Sequence, residues 1–328
     1  MSDDLDSLAS ETLSERARTR FTSIKGVFLP EEYKDFADAI ENFEVRDDDV
    51  WVCSFPKTGT TWTQEMVWGV THDNDFDSSK EDIHIRFPFL EFSGTTSFAR
   101  VARREKVSDV PSWVLNSVEF CNGLSSPRHI KSHLPFNLLP RQIRNGERKP
   151  KIIYTTRNAK DTCISYYHFF TLLEGHRSTF DQMCQLFVGD KVIYGPFWNH
   201  LLGFWEKRHM TNLLLIRFED MKKDLHAVIK RTASFLGKEF NNKKIQALAD
   251  HLSFARMRDN PSLNRSDFIE YLNNTKFYGN SKYEGHFFRD GNCGQWKTAM
   301  SSELEEKFDE WIKKNLKDHK DFELYLDN

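Results

Sequence analysis

The sequence predicts an α/β protein with a central parallel β-sheet flanked by helices, in a P-loop-like arrangement. Three apolar segments, residues 50–55, 151–156 and 212–218, have the β-branched and aromatic content of buried strands. Each segment continues into residues whose apolar side chains recur at helical spacing. Repeated strand–loop–helix units favour parallel strands with right-handed crossovers, and ligands then bind at the carboxyl ends of the strands.

The chain has 328 residues, a length at which α/β folds often form one domain. Residues 1–20 alternate acids, serine and arginine with little periodicity, and we expect them to form a loosely ordered tail. Residues 21–328 are then expected to form a single domain.

Composition argues against a nucleic-acid or membrane partner. The net charge of −3 gives no bulk attraction to nucleic acid or to acidic membranes. No apolar run reaches the roughly 18 residues that a membrane span needs. The N-terminus is acidic and polar, unlike a signal peptide, and the five cysteines form no C-x-x-C pair. These features predict a cytoplasmic protein with reduced thiols.

The loop after the first strand is expected to bind phosphate. Gly59 allows the backbone to approach an anion, and the helix that follows points its positive end at the same place. The loop departs from the P-loop pattern, because Ser54 stands at the first glycine position and Thr60 at the lysine position. Lys57 lies inside the loop instead, so we expect phosphate binding without placement over a γ-phosphate.

Two further segments carry candidate site residues. In His129–Leu134, alternation directs Lys131 and His133 to one side of a short strand, and histidine is the natural general base near neutral pH. After the second strand, Arg157 offers a planar fork suited to phosphate, Asn158 can cap the next helix, and Ser165 lies about two turns along it.

These motifs together resemble the cytosolic sulfotransferases, in particular arthropod members. The matching stretches are Phe55–Trp62, Lys131–Pro135, Arg157–Ser165 and Arg289–Lys297, in the order of that family. Such enzymes move a sulfuryl group from 3′-phosphoadenosine 5′-phosphosulfate (PAPS) to a small acceptor and release 3′-phosphoadenosine 5′-phosphate (PAP). The resemblance implies a transferase that uses PAPS and no metal.

The resemblance also implies roles for individual residues. His133 would be the catalytic base, assisted by Lys57, Lys131 and Ser165. Tyr194 would reach the nucleotide, although a packed aromatic is an alternative. The implied nucleotide-binding residues are Lys57, Thr58, Gly59, Thr60, Thr61, Trp62, Arg157, Ser165, Tyr194, Ser253, Phe254, Met257, Arg289, Asp290 and Gly291.

The resemblance also implies an apolar acceptor pocket that includes His133. Its implied lining residues are Phe55, Phe87, Phe89, Phe92, His133 and Phe169. For residues 87–92, plain hydrophobic packing is an equally open interpretation. Residues 93–126 form a long connection that we interpret as a lid, and its basic run from Arg100 to Lys106 as a solvated face. The acceptor would be a small apolar alcohol, phenol or steroid.

Several positions depart from the family pattern. Asp290 replaces a lysine, Gln295 an aspartate, and Leu252 stands where relatives carry a hydroxyl. Residues 297–306 match the dimer motif only in part, so a homodimer is possible but not required. Two alternatives therefore stay open: a nucleotide-binding protein without turnover, and a P-loop kinase.

Overall fold

The computed structural model describes residues 2–279 and 284–327, and its centre is a parallel β-sheet. Four strands follow the order β4-β3-β5-β6, and every neighbouring pair is parallel. A separate two-stranded antiparallel sheet joins β1 and β2. This confirms the predicted α/β class. The strands are β1 Phe21–Ile24, β2 Val27–Pro30, β3 Val50–Ser54, β4 His129–Ser132, β5 Lys151–Thr156 and β6 Leu213–Arg217.

Helices cover both faces of the sheet. Short 3-10 turns span Glu31–Tyr33, Ser78–Lys80 and Phe136–Leu138. The α-helices are α1 Ser2–Glu11, α2 Lys34–Glu41, α3 Thr60–Thr71, α4 Ile83–Arg86, α5 Phe92–Thr95, α6 Ser97–Glu105, α7 Ser112–Leu115, α8 Ser117–Gly123, α9 Arg141–Arg144, α10 Ala159–Leu173, α11 Phe180–Val188, α12 Phe197–Trp205, α13 Phe218–Lys223, α14 Leu225–Phe235, α15 Asn242–His251, α16 Phe254–Asp259, α17 Pro261–Asn264, α18 Ser266–Asn274, α19 Trp296–Ala299, α20 Ser302–Leu316 and α21 Lys320–Asp327.

The strands are buried on both faces, as parallel strands usually are. Along β3, Trp51 and Cys53 face one apolar cluster, whereas Val50 and Val52 face the other. The chain leaves β3 toward β4 on one side and then crosses to β5 on the other. The loops after β3 and β5 therefore diverge at a topological switch point, where such sheets bind ligands.

The N-terminal residues correct our expectation of a loosely ordered tail. Residues 2–11 form α1, and Ala9, Leu13 and Ala17 are at most 3% exposed in the core. Backbone hydrogen bonds join Ser14 N–H to the Gly175 carbonyl (2.7 Å) and Arg177 N–H to the Thr12 carbonyl (2.6 Å). Apolar side chains on one face of a short segment suffice to dock it, and the sequence pattern was too short to reveal that face.

Residues 93–126 are helical rather than an open loop, since they contain most of α5 and all of α6–α8. The basic run is not simply solvated. Arg100 is 4% exposed and donates to the Ala17 carbonyl (3.2 Å) and to Ser97 Oγ (3.0 Å). Arg104 donates to the Arg16 carbonyl (2.6 Å). Part of the run thus holds this segment against the N-terminal residues.

Within the described residues, none of the helices combines the length and the apolar character that crossing a bilayer demands.

Candidate active site

One cavity of about 410 Å³ opens at the carboxyl ends of β3 and β5. A volume of this size suits a small ligand. It brings together residues from each of the predicted motifs, although they come from distant parts of the sequence. The predicted site residues that line it are Lys57, Gly59, Thr60, Thr61, Trp62, Phe89, Lys131, His133, Arg157, Ser165, Phe169, Tyr194, Ser253, Phe254, Met257, Arg289, Asp290 and Gly291.

The loop from β3 to α3 has the geometry of an anion site. Gly59 is the N-cap of α3 at φ 104°, and no side chain caps this helix. The N–H groups of Thr60, Thr61 and Trp62, in the first turn, therefore lack intrahelical acceptors. They lie at the end of the helix that borders the cavity, where an anion can accept from them. A Cβ at Gly59 would lie 2.9 Å from Phe218 Cδ2, so glycine is needed for packing as well as for its backbone angle.

Two lysines concentrate positive charge at this end of the cavity. The Lys57 ammonium lies 4.6 Å from the Phe169 ring centroid and 4.4 Å from that of Phe287, and Lys131 lies 4.1 Å from that of Phe89. Burial, with nearby cations, lowers the pKa of each lysine to about 7. An anion bound between them would restore their charged forms.

The hydrogen bonds of His133 determine which ring nitrogen is free. Nδ1 lies 2.8 Å from the Ser54 carbonyl oxygen, and since a carbonyl can only accept, Nδ1 carries the proton. Nε2 is then the unprotonated nitrogen, and it makes no hydrogen bond with any described residue. Burial and the charge of Lys131 hold the pKa of His133 well below its usual range, so the ring is neutral at pH 7. Nε2 can therefore accept a proton from a ligand in the cavity.

Buried polar groups hold His133 in this orientation. Glu91, which is 0% exposed, accepts the His133 N–H (2.5 Å) and the Ser132 hydroxyl (3.0 Å). His200 Nε2 donates to the His133 carbonyl (2.9 Å), while its Nδ1 accepts from the Tyr154 hydroxyl (2.8 Å). Burial raises the pKa of Glu91 to about 7. The imidazole is therefore fixed from both its backbone and its ring.

A second positive region lies where β5 ends. Arg157 is 7% exposed, its guanidinium is 4.3 Å from the Phe218 ring centroid, and it donates to the Asn292 carbonyl (3.0 Å). Its buried Nε has no partner among the described residues. Asn158 caps α10 by accepting the N–H groups of Lys160 (3.0 Å) and Asp161 (3.3 Å), which confirms the predicted cap. Ser165 lies on that helix and lines the cavity.

The C-terminal loop closes over this second region because α10 holds it. Asp161 accepts the N–H groups of Gly294 (2.6 Å) and Trp296 (3.2 Å). Asp290 is exposed and bonded to the Asn292 side-chain amide, and Arg289 is bonded to Gln295. The carboxylate of Asp290 is thus engaged by its own loop.

Aromatic side chains flank the space between the two positive regions. Trp62 Nε1 donates to the Leu252 carbonyl (3.0 Å), which fixes the indole plane. Gly291 packs directly on Phe254, because a Cβ there would lie 2.5 Å from Phe254 Cδ2. The Leu252 side chain is apolar and fully buried, so the polar group at this position is its main-chain carbonyl.

Four predicted site residues do not line the cavity. Phe55 packs in the core on Phe187 and Phe197, and Phe87 packs against His129 in the other apolar cluster. The Thr58 hydroxyl donates to the Phe55 carbonyl (2.8 Å) and so braces the loop from inside. Phe92 is 7% exposed and packs on Trp113 behind Phe89. Each lies one layer too deep for direct ligand contact.

The sequence left two interpretations of Tyr194 open, a residue that reaches the nucleotide and a packed aromatic, and the structure has features of both. It lines the cavity, yet it is 4% exposed and its hydroxyl donates to Thr95 Oγ1 (2.8 Å). Its ring lies 5.6 Å from that of His133. The tyrosine is therefore a packed aromatic beside the candidate base.

Some residues of the site were missed by sequence reasoning. Glu91 and Asp161 act through backbone N–H groups that are distant in sequence, and Arg265 and Glu174 reach the cavity from the ends of separate helices. Arg265 has a left-handed backbone (φ 57°), a feature that it shares with the site residues Lys57 (φ 72°) and Tyr194 (φ 73°), and this conformation has no sequence signature. No group of three or more His, Cys, Asp or Glu side chains that could hold a metal occurs among residues 2–279 and 284–327.

Comparison with known proteins agrees with this geometry. The family model described as the sulfotransferase domain matches residues 47–320. Luciferin sulfotransferase of Photinus pyralis is 44% identical over 284 residues, 87% of this chain and 76% of the relative. Sulfotransferase 1E1 of Homo sapiens is 31% identical over 302 residues, 91% of this chain and 94% of the relative.

A solved structure extends the similarity to the whole architecture. The crystal structure of retinol dehydratase in complex with androsterone and inactive cofactor PAP superposes with a TM-score of 0.84 and 27% identity, covering 97% of this chain and 95% of that one. The family model, both relatives and this structure span the phosphate loop, the candidate base and the second positive region. The chain therefore belongs to the sulfotransferase family and is a transferase of that type.

Proposed function

We propose that the protein transfers a sulfuryl group from PAPS to the hydroxyl of a small acceptor, with His133 as general base. One observation carries this proposal: an imidazole with an unprotonated Nε2 shares a cavity with two lysines and an uncapped helix N-terminus. A base for a hydroxyl proton beside an anion site is what in-line transfer of a sulfuryl group requires.

The two positive regions fit the two ends of the donor nucleotide. The phosphosulfate would lie on the first turn of α3 between Lys57 and Lys131, and the 3′-phosphate on Arg157, Ser165 and the Gly291 loop. Trp62 and Phe254 would enclose the adenine between them, a contact that aromatic rings make with any base. The orphaned Arg157 Nε supports this fit, because a buried guanidinium N–H without a partner is costly.

The chemical step can be written from the residues of this chain. His133 Nε2 takes the hydroxyl proton as the new oxygen–sulfur bond forms. Lys57 and Lys131 stabilise the charge left on the 5′-phosphate oxygen as the old oxygen–sulfur bond breaks. The products are the sulfated acceptor and PAP, and the proton resides on His133. Removing one such stabilising donor lowers kcat by about 10²–10³.

The acceptor is proposed to enter from the side lined by Phe89, Phe169 and Leu172. These apolar walls favour a phenol, steroid or other apolar alcohol with its hydroxyl at His133. We also propose that the protein is cytoplasmic and that its activity needs no metal. Activity that survives chelation by EDTA would support the metal-independent part, and a strict Mg²⁺ requirement would contradict it.

A sulfation assay separates this function from its alternatives. Wild-type protein and His133→Ala are incubated with PAPS and a panel of phenols and alcohols, and PAP formation and PAP binding are both measured. We expect transfer by wild type, at least a 10³-fold slower rate for His133→Ala, and similar PAP affinity for both. Equal inertness with retained PAP binding would favour the binding protein, and ATP turnover would favour the kinase.

A further inference from the structure

Arg265 places a further cation in the cavity, one to which the proposed donor site gives no role. It stands between α17 and α18 with φ 57°, and its guanidinium lies 5.0 Å from the Phe287 ring centroid. Its Nε is buried without a hydrogen-bond partner, and Arg265 forms no ion pair with any carboxylate of the described residues. Two fully buried arginines, by contrast, are paired with carboxylates: Arg86 with Glu65 (2.5 Å) and Arg128 with Asp49 (2.7 Å).

Aromatic contacts place Arg265 beside the proposed apolar wall of the cavity. Phe287, which carries the Arg265 guanidinium, packs on Phe169 with ring centroids 6.1 Å apart, and the Lys57 ammonium lies 4.4 Å from the same Phe287 centroid. The charge of Arg265 helps to lower the pKa values of Lys57, Lys131 and His84. The guanidinium thus lies near Lys57 and Phe169, and the carboxylates whose charges act on it are Asp82, before α4, and Glu174, after α10.

The two nearby carboxylates are already engaged. Glu174 accepts the Ser97 N–H (2.6 Å), and Asp82 accepts the backbone N–H (2.7 Å) and Nδ1 (2.9 Å) of His84. Neither carboxylate comes within 4.0 Å of the guanidinium, so the two neutralise the charge of Arg265 only in part. A wholly apolar acceptor that displaced water from Arg265 would leave a charge desolvated and unpaired, which is strongly unfavourable.

We propose that Arg265 selects acceptors that carry a carboxylate at the end opposite the reacting hydroxyl. This inference rests on the proposed function, and it refines the acceptor from an apolar alcohol to an amphipathic hydroxy acid with an apolar body. The carboxylate would pair with the guanidinium fork, while Phe89 and Phe169 cover the body and the hydroxyl reaches His133 Nε2. Charge-assisted pairs of this kind give both affinity and orientation.

Binding to the PAP-bound protein tests the inference without depending on turnover. The probes are 3-(4-hydroxyphenyl)propanoate and its neutral amide, matched in size, and the measurement is isothermal titration calorimetry. We expect wild type to bind the acid at least tenfold more tightly than the amide, and Arg265→Met to abolish that ratio. Equal affinities in wild type, or an unchanged ratio in Arg265→Met, would overturn the inference.

Two further measurements complete the test. PAP affinity of Arg265→Met should stay within twofold of wild type, whereas a tenfold loss would assign Arg265 to the donor nucleotide and overturn the proposal. Should Arg265→Met not fold, the wild-type ratio alone decides. Transfer to both probes is measured in parallel: sulfation of the amide but not the acid refutes only this inference, whereas no PAP formation with any acceptor refutes the proposed function.

Discussion

The proton on His133 Nδ1 is the residue-scale feature on which the proposed chemistry depends. The Ser54 carbonyl requires that proton, and burial keeps the ring neutral, so Nε2 is available as a base without any rearrangement. Because the folded-state pKa lies below the usual 6.5, the neutral form persists as the pH falls through 6.5. The acid limb of the kcat/KM profile should accordingly lie below pH 6.5.

The lysines at the phosphate loop predict how nucleotide binding depends on pH. Free Lys57 and Lys131 lose their protons as the pH rises through about 7, and a bound anion raises both pKa values. Binding should therefore take up protons above pH 7, and PAP affinity should fall by more than about tenfold between pH 7 and 9. Calorimetry in buffers of different ionisation enthalpy measures this uptake. Binding that is independent of pH in this range would contradict the assignment.

Glu91 gives a second residue-scale prediction. In Glu91→Ala the buried N–H of His133 loses its acceptor, which should lower the free energy of unfolding by about 1–3 kcal/mol. Glu91→Gln keeps an oxygen at that place and should be affected less. Urea unfolding of the two variants measures the difference. If both lost the same stability, the hydrogen bond to His133 would not be the reason for burying this carboxyl group.

At the scale of elements, the start of α3 couples backbone shape to ligand binding. Gly59→Ala would introduce a Cβ that clashes with Phe218. It would also place a residue other than glycine in a left-handed backbone conformation, which costs about 1–2 kcal/mol. We expect PAP affinity to fall at least tenfold, measured by calorimetry, because the first-turn N–H groups must shift.

Gly237→Ala is the matched control for this element. Gly237 has φ 69°, but a Cβ there meets nothing within 4 Å. The backbone strain is thus similar, while the site is remote and the packing is open. Its PAP affinity should equal that of wild type, and a matching loss of affinity in both variants would show that general destabilisation explains the Gly59 result.

At the scale of the whole molecule, the N-terminal segment packs behind the proposed acceptor side of the cavity. Leu13 is 3% exposed and pairs as an antiparallel bridge with His176, next to the cavity residue Glu174. Leu13→Ala should lower the free energy of unfolding by about 2–5 kcal/mol and raise the acceptor KM while sparing PAP affinity. Denaturant titration and kinetics measure both effects. Glu11→Ala, an exposed neighbour, serves as the control, and equal effects in the two variants would contradict the prediction.

The sequence revealed those parts of the molecule that local patterns encode. The strands, the Gly59 loop, the Asn158 cap and the Lys131–His133 alternation all depend on residues close in the chain. Phe55 was misassigned because it follows a strand buried on both faces, where alternation cannot tell core from cavity. The hydrogen bonds of Glu91, the placement of Arg265 in the cavity and the docking of Leu13 depend on long-range packing, which no local pattern records.

The most direct test of the central claim is a single-turnover experiment with PAPS bound in advance. Excess enzyme–PAPS complex is mixed with a phenolic acceptor, and PAP and sulfated phenol are quantified over time for wild type and His133→Gln. The account predicts equal amounts of both products from wild type, and a transfer step at least 10³-fold slower in His133→Gln at unchanged PAPS affinity. Transfer at the same rate in both proteins would contradict it.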